Sequence, residues 1–304
     1  MTRRQMLATT AASTLYAAPR TRMTIQLDCG SIGVKATMPE ALAHAQRHGF
    51  DSITADSGWL AGLSESDLKR FLDDMKSKGV VWANSGLSVE FRKSDEEFQT
   101  GLKALPARAA ALQRAGVSRV STWITPASDT MTFLENMKWH GRRLREVAAV
   151  LGDHGCRLGL EYVGPRTSWS TRRFVFVHNM REMRELITEI NKPNVGFLID
   201  SWHWFTAQET VADLMTLTPR DVVSVDLNDA PAGLPVEQQK DNMRDLPCAT
   251  GVIPVGEFLN ALNKIGCDAP VRCEPFNAPL RAMAPEDALK TTAAAMKKAF
   301  ALIV

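Results

Sequence analysis

VGFLIDSWHW, residues 195–204, is the stretch of sequence that decides the expected fold. Residues 195–199 form a short apolar run, which is typical of a buried strand in a parallel sheet. The run ends at Asp200, and His203 follows three residues later. A carboxylate at the end of a buried strand is costly to desolvate unless it binds a cation or a hydrogen-bond donor. Asp200 is therefore either a candidate ligand or the cap of the following helix.

The same pattern recurs in three other predicted strands. The acids concerned are Glu161 in residues 157–161, Asp226 and Asp229 in residues 222–229, which also contain Asn228, and Glu274 in residues 271–276. Helical patterns separate these strands along the chain. Four acid-tipped strands in succession predict carboxylates that converge on one metal ion. The alternative is that these acids cap helices and pair with arginines.

The rest of the chain shows a regular alternation of strand and helix patterns. The predicted strands are residues 23–28, 52–56, 80–86 and 118–124, followed by the four acid-tipped strands. The predicted helices are residues 39–48, 65–78, 95–115, 131–153, 178–190, 207–217, 255–265 and 285–302. Eight strands that alternate with eight helices, without a dividing linker, predict a single-domain (β/α)8 TIM barrel over residues 23–304. The barrel also explains the acids, because its active site lies where the carboxyl ends of the strands meet.

A doubly wound open sheet is the alternative α/β architecture. It calls for a glycine-rich phosphate-binding turn after the first strand. Residues 29–34, CGSIGV, match that turn poorly. The barrel is therefore the favoured fold.

The first 18 residues have the pattern of a signal segment. Residues 2–7, TRRQML, resemble a twin-arginine export motif, and a small-residue stretch then ends in YAAP at residues 16–19. This predicts export to the periplasm by the twin-arginine route, with a cytoplasmic protein as the alternative. A periplasmic location makes a phosphorylated sugar a less suitable substrate, because sugar phosphates are cytoplasmic.

Composition and charge exclude several classes of partner. The formal net charge is +2 over 304 residues, with 36 basic and 34 acidic side chains intermixed, which does not suit nucleic-acid binding. Apolar runs do not approach the roughly 18–20 residues that span a bilayer. The five cysteines show neither a CxxC pair nor zinc-ligand spacing. The expected partner is a small molecule, and a homo-oligomer is left open.

The ligand types favour a hard divalent ion. Glu161, Asp200, Asp226 and Glu274 offer four carboxylates, and His203 or Asn228 can add a fifth ligand. Oxygen ligands suit Mn²⁺, Mg²⁺ or Co²⁺ better than a structural zinc site, which favours cysteine and histidine. We expect a divalent metal cofactor, with Mn²⁺ as the leading candidate and Mg²⁺ or Co²⁺ as alternatives.

These motifs resemble those of the xylose-isomerase-like barrel superfamily, and in particular bacterial sugar phosphate isomerase/epimerase-type proteins. The resemblance rests on LEYVGP with Glu161, DSWHW with Asp200 and His203, VDLNDAPAG with Asp226, and CEPF with Glu274. It implies that Glu161, Asp200 and Glu274 bind the metal and that His203 lies beside the substrate oxygens. Asp226 stands where the family usually has histidine. Asp226 is then a fourth ligand, or Asn228 takes part, or Asp226 pairs with an arginine and the other three acids hold the metal.

The resemblance also implies a reaction. Glu161 and Glu274 would remove and return a proton alpha to a carbonyl, through an enediolate, in a sugar isomerase or epimerase. A lyase or hydratase acting on a keto-sugar, keto-glycoside or cyclitol starts from the same chemistry and is the main alternative. A non-catalytic sugar-binding barrel is the alternative from another class, and a DNA-repair endonuclease lacks the expected histidines. Candidate substrate contacts are His203, Arg166, Arg244, Asn228 and Trp123.

Overall fold

The computed structural model describes residues 21–304, and the predicted signal segment at residues 1–18 lies outside this range. The described strands are β1 (Thr24–Leu27), β2 (Ser52–Ala55), β3 (Val81–Gly86), β4 (Arg119–Trp123), β5 (Ala127–Ser128), β6 (Arg157–Glu161), β7 (Phe174–Val175), β8 (Val195–Asp200), β9 (Val222–Leu227) and β10 (Pro270–Cys273). Eight of them close into a parallel barrel in the order β1-β10-β9-β8-β6-β4-β3-β2. The predicted (β/α)8 barrel is confirmed. Strands β5 and β7 form a separate antiparallel pair.

The helices form the outer layer that a parallel barrel requires. They are α1 (Met38–His48), α2 (Ser57–Ala61), α3 (Glu65–Ser77), α4 (Asp95–Ala115), α5 (Phe133–Asp153), α6 (Arg166–Trp169), α7 (Met180–Ile190), α8 (Ser201–Thr206), α9 (Val211–Leu214), α10 (Val255–Lys264), α11 (Ala278–Arg281) and α12 (Pro285–Phe300). Several of them begin at side-chain caps; in α1, for example, Thr37 and Glu40 form a capping box. None of these helices is long and apolar enough to cross a membrane.

One predicted helix differs from the structure. Residues 207–217 were expected to form a single helix, but only α9 lies there, and the short helix α8 precedes it. Gln208 has a φ of 58°, in the left-handed region, which ends α8 and separates it from α9. Asp200 accepts a hydrogen bond from the backbone N of Trp202 and so caps α8. The acid at the end of β8 is therefore a helix cap as well as a site residue.

Polar side chains fill part of the barrel interior below the site. Gln26 on β1 donates to Asn84 Oδ1 at 2.6 Å, and Asn84 donates in turn to Ser121 Oγ at 2.6 Å and Ser224 Oγ at 3.1 Å. All four side chains are buried. Because buried polar groups are stabilised by such bonds, this connected network gives the cavity a rigid polar floor.

Candidate active site

The register of the strands places the site residues in layers. Asp200 on β8 lies opposite Asp226 on β9, and Asp226 lies opposite Arg272 on β10. Residues in register on neighbouring parallel strands point to the same side of the sheet. Two acids and an arginine therefore share one level of the barrel interior. Glu274 follows Arg272 by two residues and continues on the same side of the chain.

The four predicted acids come together at the carboxyl ends of the strands. One oxygen from each of Glu161, Asp200, Asp226 and Glu274 lies within 4.8 Å of those of the others. Asp200 and Asp226 are fully buried, Glu161 is nearly so, and Glu274 is partly exposed to the cavity. The structure thus brings together all four of the residues that sequence reasoning named as metal ligands.

Arg272 is the neighbour that sequence reasoning did not include. Its Nε donates to Asp226 Oδ1 at 2.9 Å and its Nη2 to Asp226 Oδ2 at 2.5 Å, so the guanidinium holds both oxygens of that carboxylate. The same Nη2 donates to Glu274 Oε1 at 2.7 Å, and Nη1 lies 3.3 Å from Asp28 Oδ2. A bidentate arginine–carboxylate pair of this kind is among the stronger charge-assisted contacts. Of the three roles left open for Asp226, pairing with an arginine is the one observed.

Arg244 is a second buried arginine, and the structure places it at the site as expected. It comes from the long loop after β9 and is 2 % exposed. Its Nη1 donates to Asp200 Oδ2 at 2.7 Å and lies 3.3 Å from Glu274 Oε2, and its Nη2 donates to Asp241 Oδ1 at 2.7 Å. Despite burial, these carboxylates raise the pKa of Arg244, so it is a permanent cation. Arg244 therefore neutralises acids as well as lining the cavity.

His203 has a defined protonation state. Its Nδ1 accepts a hydrogen bond from the backbone N of Gly164 at 3.1 Å, and Arg244 Nη2, which can only donate, lies 3.3 Å from Nε2. A neutral imidazole has one acceptor nitrogen, and the shorter Gly164 contact favours Nδ1 as that acceptor, with the proton on Nε2. Burial lowers the pKa of His203 to about 4, which keeps it neutral at pH 7. Nε2 lies 3.7 Å from both Glu161 Oε1 and Asp241 Oδ1. With its proton on Nε2, His203 is suited to donate to a substrate oxygen and is unsuited to bind a metal through that atom.

Gly164 is required for this arrangement. A Cβ at this position would lie 2.4 Å from the backbone oxygen of His203. The glycine lets the loop after β6 approach α8 closely enough for its backbone N to reach the imidazole.

Asn228 lies behind the acids. Its Nδ2 donates to Asp200 Oδ1 at 3.0 Å, its Oδ1 accepts from the backbone N of Glu274 at 3.1 Å, and the residue is fully buried. Both ends of the amide are thus engaged in holding two of the acids. The structure gives Asn228 a positioning role, away from the cavity surface where a substrate contact was expected.

Trp123 and Arg166 are the two remaining predicted substrate contacts, and only one of them lies at the cavity. Trp123, at the end of β4, is 45 % exposed and lines the cavity. Arg166, at the start of α6, is exposed and does not line this cavity. The structure thus supports Trp123 as a candidate substrate contact and places Arg166 outside the site.

The site opens into two adjoining cavities. One, of about 440 Å³, is lined by His203, Arg244 and Phe276, and the other, of about 340 Å³, by Asp28, Arg92 and Arg272. Trp123, Glu161 and Glu274 line both cavities. Volumes of this size suit a small polar molecule. Glu161 and Glu274 therefore lie where the two cavities meet.

The two glutamates are electrostatically unusual. Burial, and then the carboxylates of Glu274, Asp200 and Asp226, raise the pKa of Glu161 well above its usual value. Burial also raises the pKa of Glu274 to about 7, against the lowering effect of Arg272. A carboxyl group with a pKa near working pH is an effective general acid or base. Glu274 fits that description, and Glu161, with its raised pKa, is a second proton-carrying group on the same cavity.

The donor set can hold a divalent ion, but the four acids do not fit it equally. Glu161 Oε1 is buried and has no hydrogen-bond partner among residues 21–304, as expected for an atom that awaits a cation. The other three acids already have donors on both oxygens: Arg272 on Asp226, Asn228 and Arg244 on Asp200, and Arg272 and Arg244 on Glu274. Asp226 differs in that a single guanidinium holds both of its oxygens. Hard oxygen ligands suit Mn²⁺ or Mg²⁺.

The net charge of the cluster also favours a cation. The carboxylates of this cluster are Asp28, Glu161, Asp200, Asp226, Asp241 and Glu274, and the guanidiniums are Arg244 and Arg272. Two cations would not neutralise six carboxylates if all six were ionised. Burial, and then this excess of negative charge, raise the pKa values of Glu161 and Glu274. A divalent cation would relieve that repulsion.

Comparison with known proteins identifies the family. The family model described as xylose isomerase-like TIM barrel matches residues 42–299. The chain belongs to this family. A xylose isomerase domain protein from Alicyclobacillus acidocaldarius subsp. acidocaldarius is 30% identical, with a TM-score of 0.79 over 92% of this chain and 99% of that one.

Two other relatives are informative. The inosose isomerase of Bacillus subtilis (strain 168) is 24% identical over 149 residues, which are 49% of this xylose isomerase-like chain. The match spans about half of the length of that relative (50%). The IOLI protein, whose structure has a bound zinc atom, shares 19% identity at a TM-score of 0.75, covering 93% of this chain and 99% of that one. This last likeness shows the fold alone.

Proposed function

We propose that the protein is a divalent-metal-dependent isomerase or epimerase that acts on a free or oxidised sugar by proton abstraction alpha to a carbonyl. The observation that carries the proposal is the pair formed by Glu161 and Glu274. Both face the same cavities, and both have raised carboxyl pKa values. A two-base reaction at one carbon needs such a pair on either side of the substrate.

The metal would be held by Glu161, Asp200 and Glu274, with Mn²⁺ the preferred ion and Mg²⁺ or Co²⁺ as alternatives. A divalent ion bound there would polarise the substrate carbonyl and stabilise the negative charge of an enediolate. Asp226 as a fourth ligand stays a prediction, and its bidentate pairing with Arg272 argues against it. The zinc atom of the IOLI structure supports a divalent ion in this fold without indicating which one.

The chain's own residues supply the remaining steps. One of the two glutamates accepts the proton from the carbon next to the carbonyl, and the other returns a proton to the adjacent carbon or the opposite face. His203 donates a hydrogen bond from its Nε2–H to a substrate oxygen as negative charge develops on that oxygen. Arg244 holds Asp200 and Glu274 in place, and Asn228 fixes the same two acids from behind. Trp123 offers an exposed ring on which a sugar can stack.

Deuterium incorporation tests the proposal before the product is known. The protein would be incubated with Mn²⁺ in D2O with a panel of free and 3-keto sugars, and exchange at carbon followed by NMR. We expect exchange with at least one substrate and its loss in Glu274→Gln, because an amide keeps the shape but cannot accept a proton. Glu146→Gln, on the exposed face of α5, is the matched control and should exchange as the wild type does.

The outcomes separate the alternatives. Exchange accompanied by loss of water indicates an elimination of the lyase type from the same proton abstraction. Failure of every sugar to exchange, in protein shown to bind both Mn²⁺ and sugar, would identify a sugar-binding barrel and refute the proposed reaction.

The place of action is a separate proposal. Residues 1–18 have the pattern of a twin-arginine signal segment, and we propose export to the periplasm on that basis. Fractionation of cells that express the full chain, compared with an Arg3→Lys/Arg4→Lys variant, tests it. Equal amounts of both proteins in the periplasm would contradict this route.

A further inference from the structure

A second group of metal-binding atoms lies outside the barrel mouth, between α1 and α12. His44 and His48 are four residues apart on α1 and therefore face the same way. Glu286 is in the first turn of α12. One ring nitrogen from each histidine and one oxygen of Glu286 all lie within 4.8 Å of one another.

The two imidazoles have nitrogens without partners. His44 Nδ1 and His48 Nε2 are both buried, and within residues 21–304 neither forms a hydrogen bond. His44 as a whole is half-buried, and only 9 % of the His48 side chain is exposed. A buried polar atom without a partner is costly, and binding an ion removes that cost. Two imidazoles that each have such a nitrogen, and that each bring a ring nitrogen within 4.8 Å of a Glu286 oxygen, are a stronger indication than either alone.

The contact between His48 and Glu286 has a metal-like spacing. His48 Nε2 lies 3.3 Å from Glu286 Oε1, yet the atoms are not aligned as a hydrogen bond. Ligands about 2.0–2.2 Å from a tetrahedral zinc ion are about 3.4 Å apart. The observed distance therefore fits two neighbouring corners of such a coordination sphere.

We propose that His44, His48 and Glu286 bind one divalent ion of the zinc type, with water as the fourth ligand. Imidazole nitrogen favours Zn²⁺, Ni²⁺ or Cu²⁺, so this site differs in preference from the all-oxygen set at the barrel mouth. The ion would join α1 and α12, which pack against each other where β1 pairs with β10. It would thereby strengthen the junction between the first and last barrel strands.

The charges around His44, His48 and Glu286 determine the metal affinity that we expect at this site. Arg47 Nη1 lies 3.3 Å from Glu286 Oε2, and Lys297 Nζ donates to the backbone oxygen of His48 at 2.8 Å. Both cations oppose a metal, whereas Glu40 lies close enough to His44 to interact with it electrostatically and favours a metal. The site should therefore bind more weakly than a four-ligand structural zinc site. Arg47→Ala should tighten binding, because it removes a positive charge and frees Glu286 Oε2.

Calorimetric titration of the full chain with Zn²⁺, after its barrel mouth is saturated with Mn²⁺, tests the proposal. We expect one Zn²⁺ per chain, with affinity reduced at least tenfold in His44→Gln, His48→Gln and Glu286→Gln. Glu286 is exposed, so its variant should fold normally even if a histidine variant does not. His154→Gln, at a half-buried histidine that contacts Gln113, is the matched control and should bind as the wild type does.

A spectroscopic readout adds geometry. Co²⁺ in a tetrahedral site with nitrogen ligands gives strong visible absorption, which should be present in the wild type and absent in Glu286→Gln. Mn²⁺ binding at the barrel mouth should stay unchanged in all of these variants. Equal Zn²⁺ affinity in the wild type and the three ligand variants would overturn the proposal, as would Zn²⁺ binding that is lost only in Asp200→Asn.

Discussion

Replacement of Arg272 by glutamine should lower the free energy of unfolding of the metal-free protein and, at the same time, raise its affinity for Mn²⁺. The wild-type guanidinium holds both oxygens of the fully buried Asp226 and one oxygen of Glu274. Removing one partner of a buried ion pair leaves an uncompensated charge, which costs about 3–5 kcal/mol. We expect a loss of that order in the free energy of unfolding, measured in urea with EDTA present.

The same change should free Asp226 to act as a ligand. With its two oxygens released and a nearby positive charge removed, we expect Mn²⁺ affinity to rise at least tenfold, which is about 1.4 kcal/mol. Calorimetry with Mn²⁺ measures this directly. In the wild-type background, Asp226→Asn should reduce Mn²⁺ affinity less than Asp200→Asn does, because Arg272 already occupies the carboxylate of Asp226.

A matched control and a double variant sharpen the test. Arg119 is also mostly buried and forms an ion pair, with Asp268 at 2.8 Å, but that carboxylate is half-exposed, so Arg119→Gln should cost less and leave Mn²⁺ binding unchanged. Asp226→Asn combined with Arg272→Gln should be more stable than Arg272→Gln alone, because the uncompensated carboxylate is gone. If Arg272→Gln lowers the free energy of unfolding by less than about 1 kcal/mol and binds Mn²⁺ as the wild type does, the Arg272–Asp226 pair neither stabilises the fold strongly nor keeps Asp226 from binding a metal.

The remaining predictions concern Glu274 and Gly164. Because the pKa of Glu274 is raised from 4.5 to about 7, the metal-free protein should lose stability as the pH rises through that range, as urea titrations can measure. Over the same range Mn²⁺ affinity should increase, by up to about tenfold per pH unit for each proton released. Calorimetry at several pH values measures this, and an affinity that does not change with pH would show that Glu274 is not a ligand. Gly164→Ala should destabilise the fold by about 1–3 kcal/mol and reduce kcat, since a Cβ there meets the backbone of His203. Gly62→Ala, where a Cβ would make only ordinary contacts at 3.5 Å or more, is the control and should leave kcat unchanged.

The barrel could be predicted from the sequence because it depends on local patterns. The strand that ends at Asp200 and the helix over residues 95–115 follow from apolar runs, caps and glycine stops, and the structure confirms them. The helix that directly follows β8 is harder to predict from the sequence. Residues 201–206 look like part of a loop, but a cap from Asp200 makes them helical. Asp200 belongs both to a helix cap and to the candidate active site, so an acid at that position can be interpreted in either way.

The acids could be found for the same reason, since each follows a predicted strand. Asp28 follows β1 in the same way and was missed, because it was read as the strand end and not grouped with the other acids. Arg272 was also within reach. It precedes Glu274 by two residues on a strand, so the two side chains share a face. Arg92 and Asp241 lie in loops, and the sequence offers no comparable signal for them.

The position of Arg244 could not be predicted from the pattern of strands and helices. It reaches Asp200 from a loop of more than twenty residues, and its position depends on how that loop folds. Asp229, one of the acids noted at the end of β9, supplies the answer: it is fully buried, and its two oxygens accept the backbone N–H groups of Ala230, Thr250, Gly251 and Ile253.

This carboxylate therefore organises the loop instead of binding a metal. It draws residues 250–253 back to the end of β9, and a backbone bridge between Asp229 and Asp245 fixes the loop next to Arg244. The acids after β9 thus divide into two roles, since Asp226 pairs with a guanidinium from a neighbouring strand and Asp229 shapes the loop that delivers the other guanidinium. Counting acids at strand ends finds the four carboxylates that the structure brings together, but the hydrogen-bond donors around each carboxylate decide its role, as Asp226 and Asp229 show.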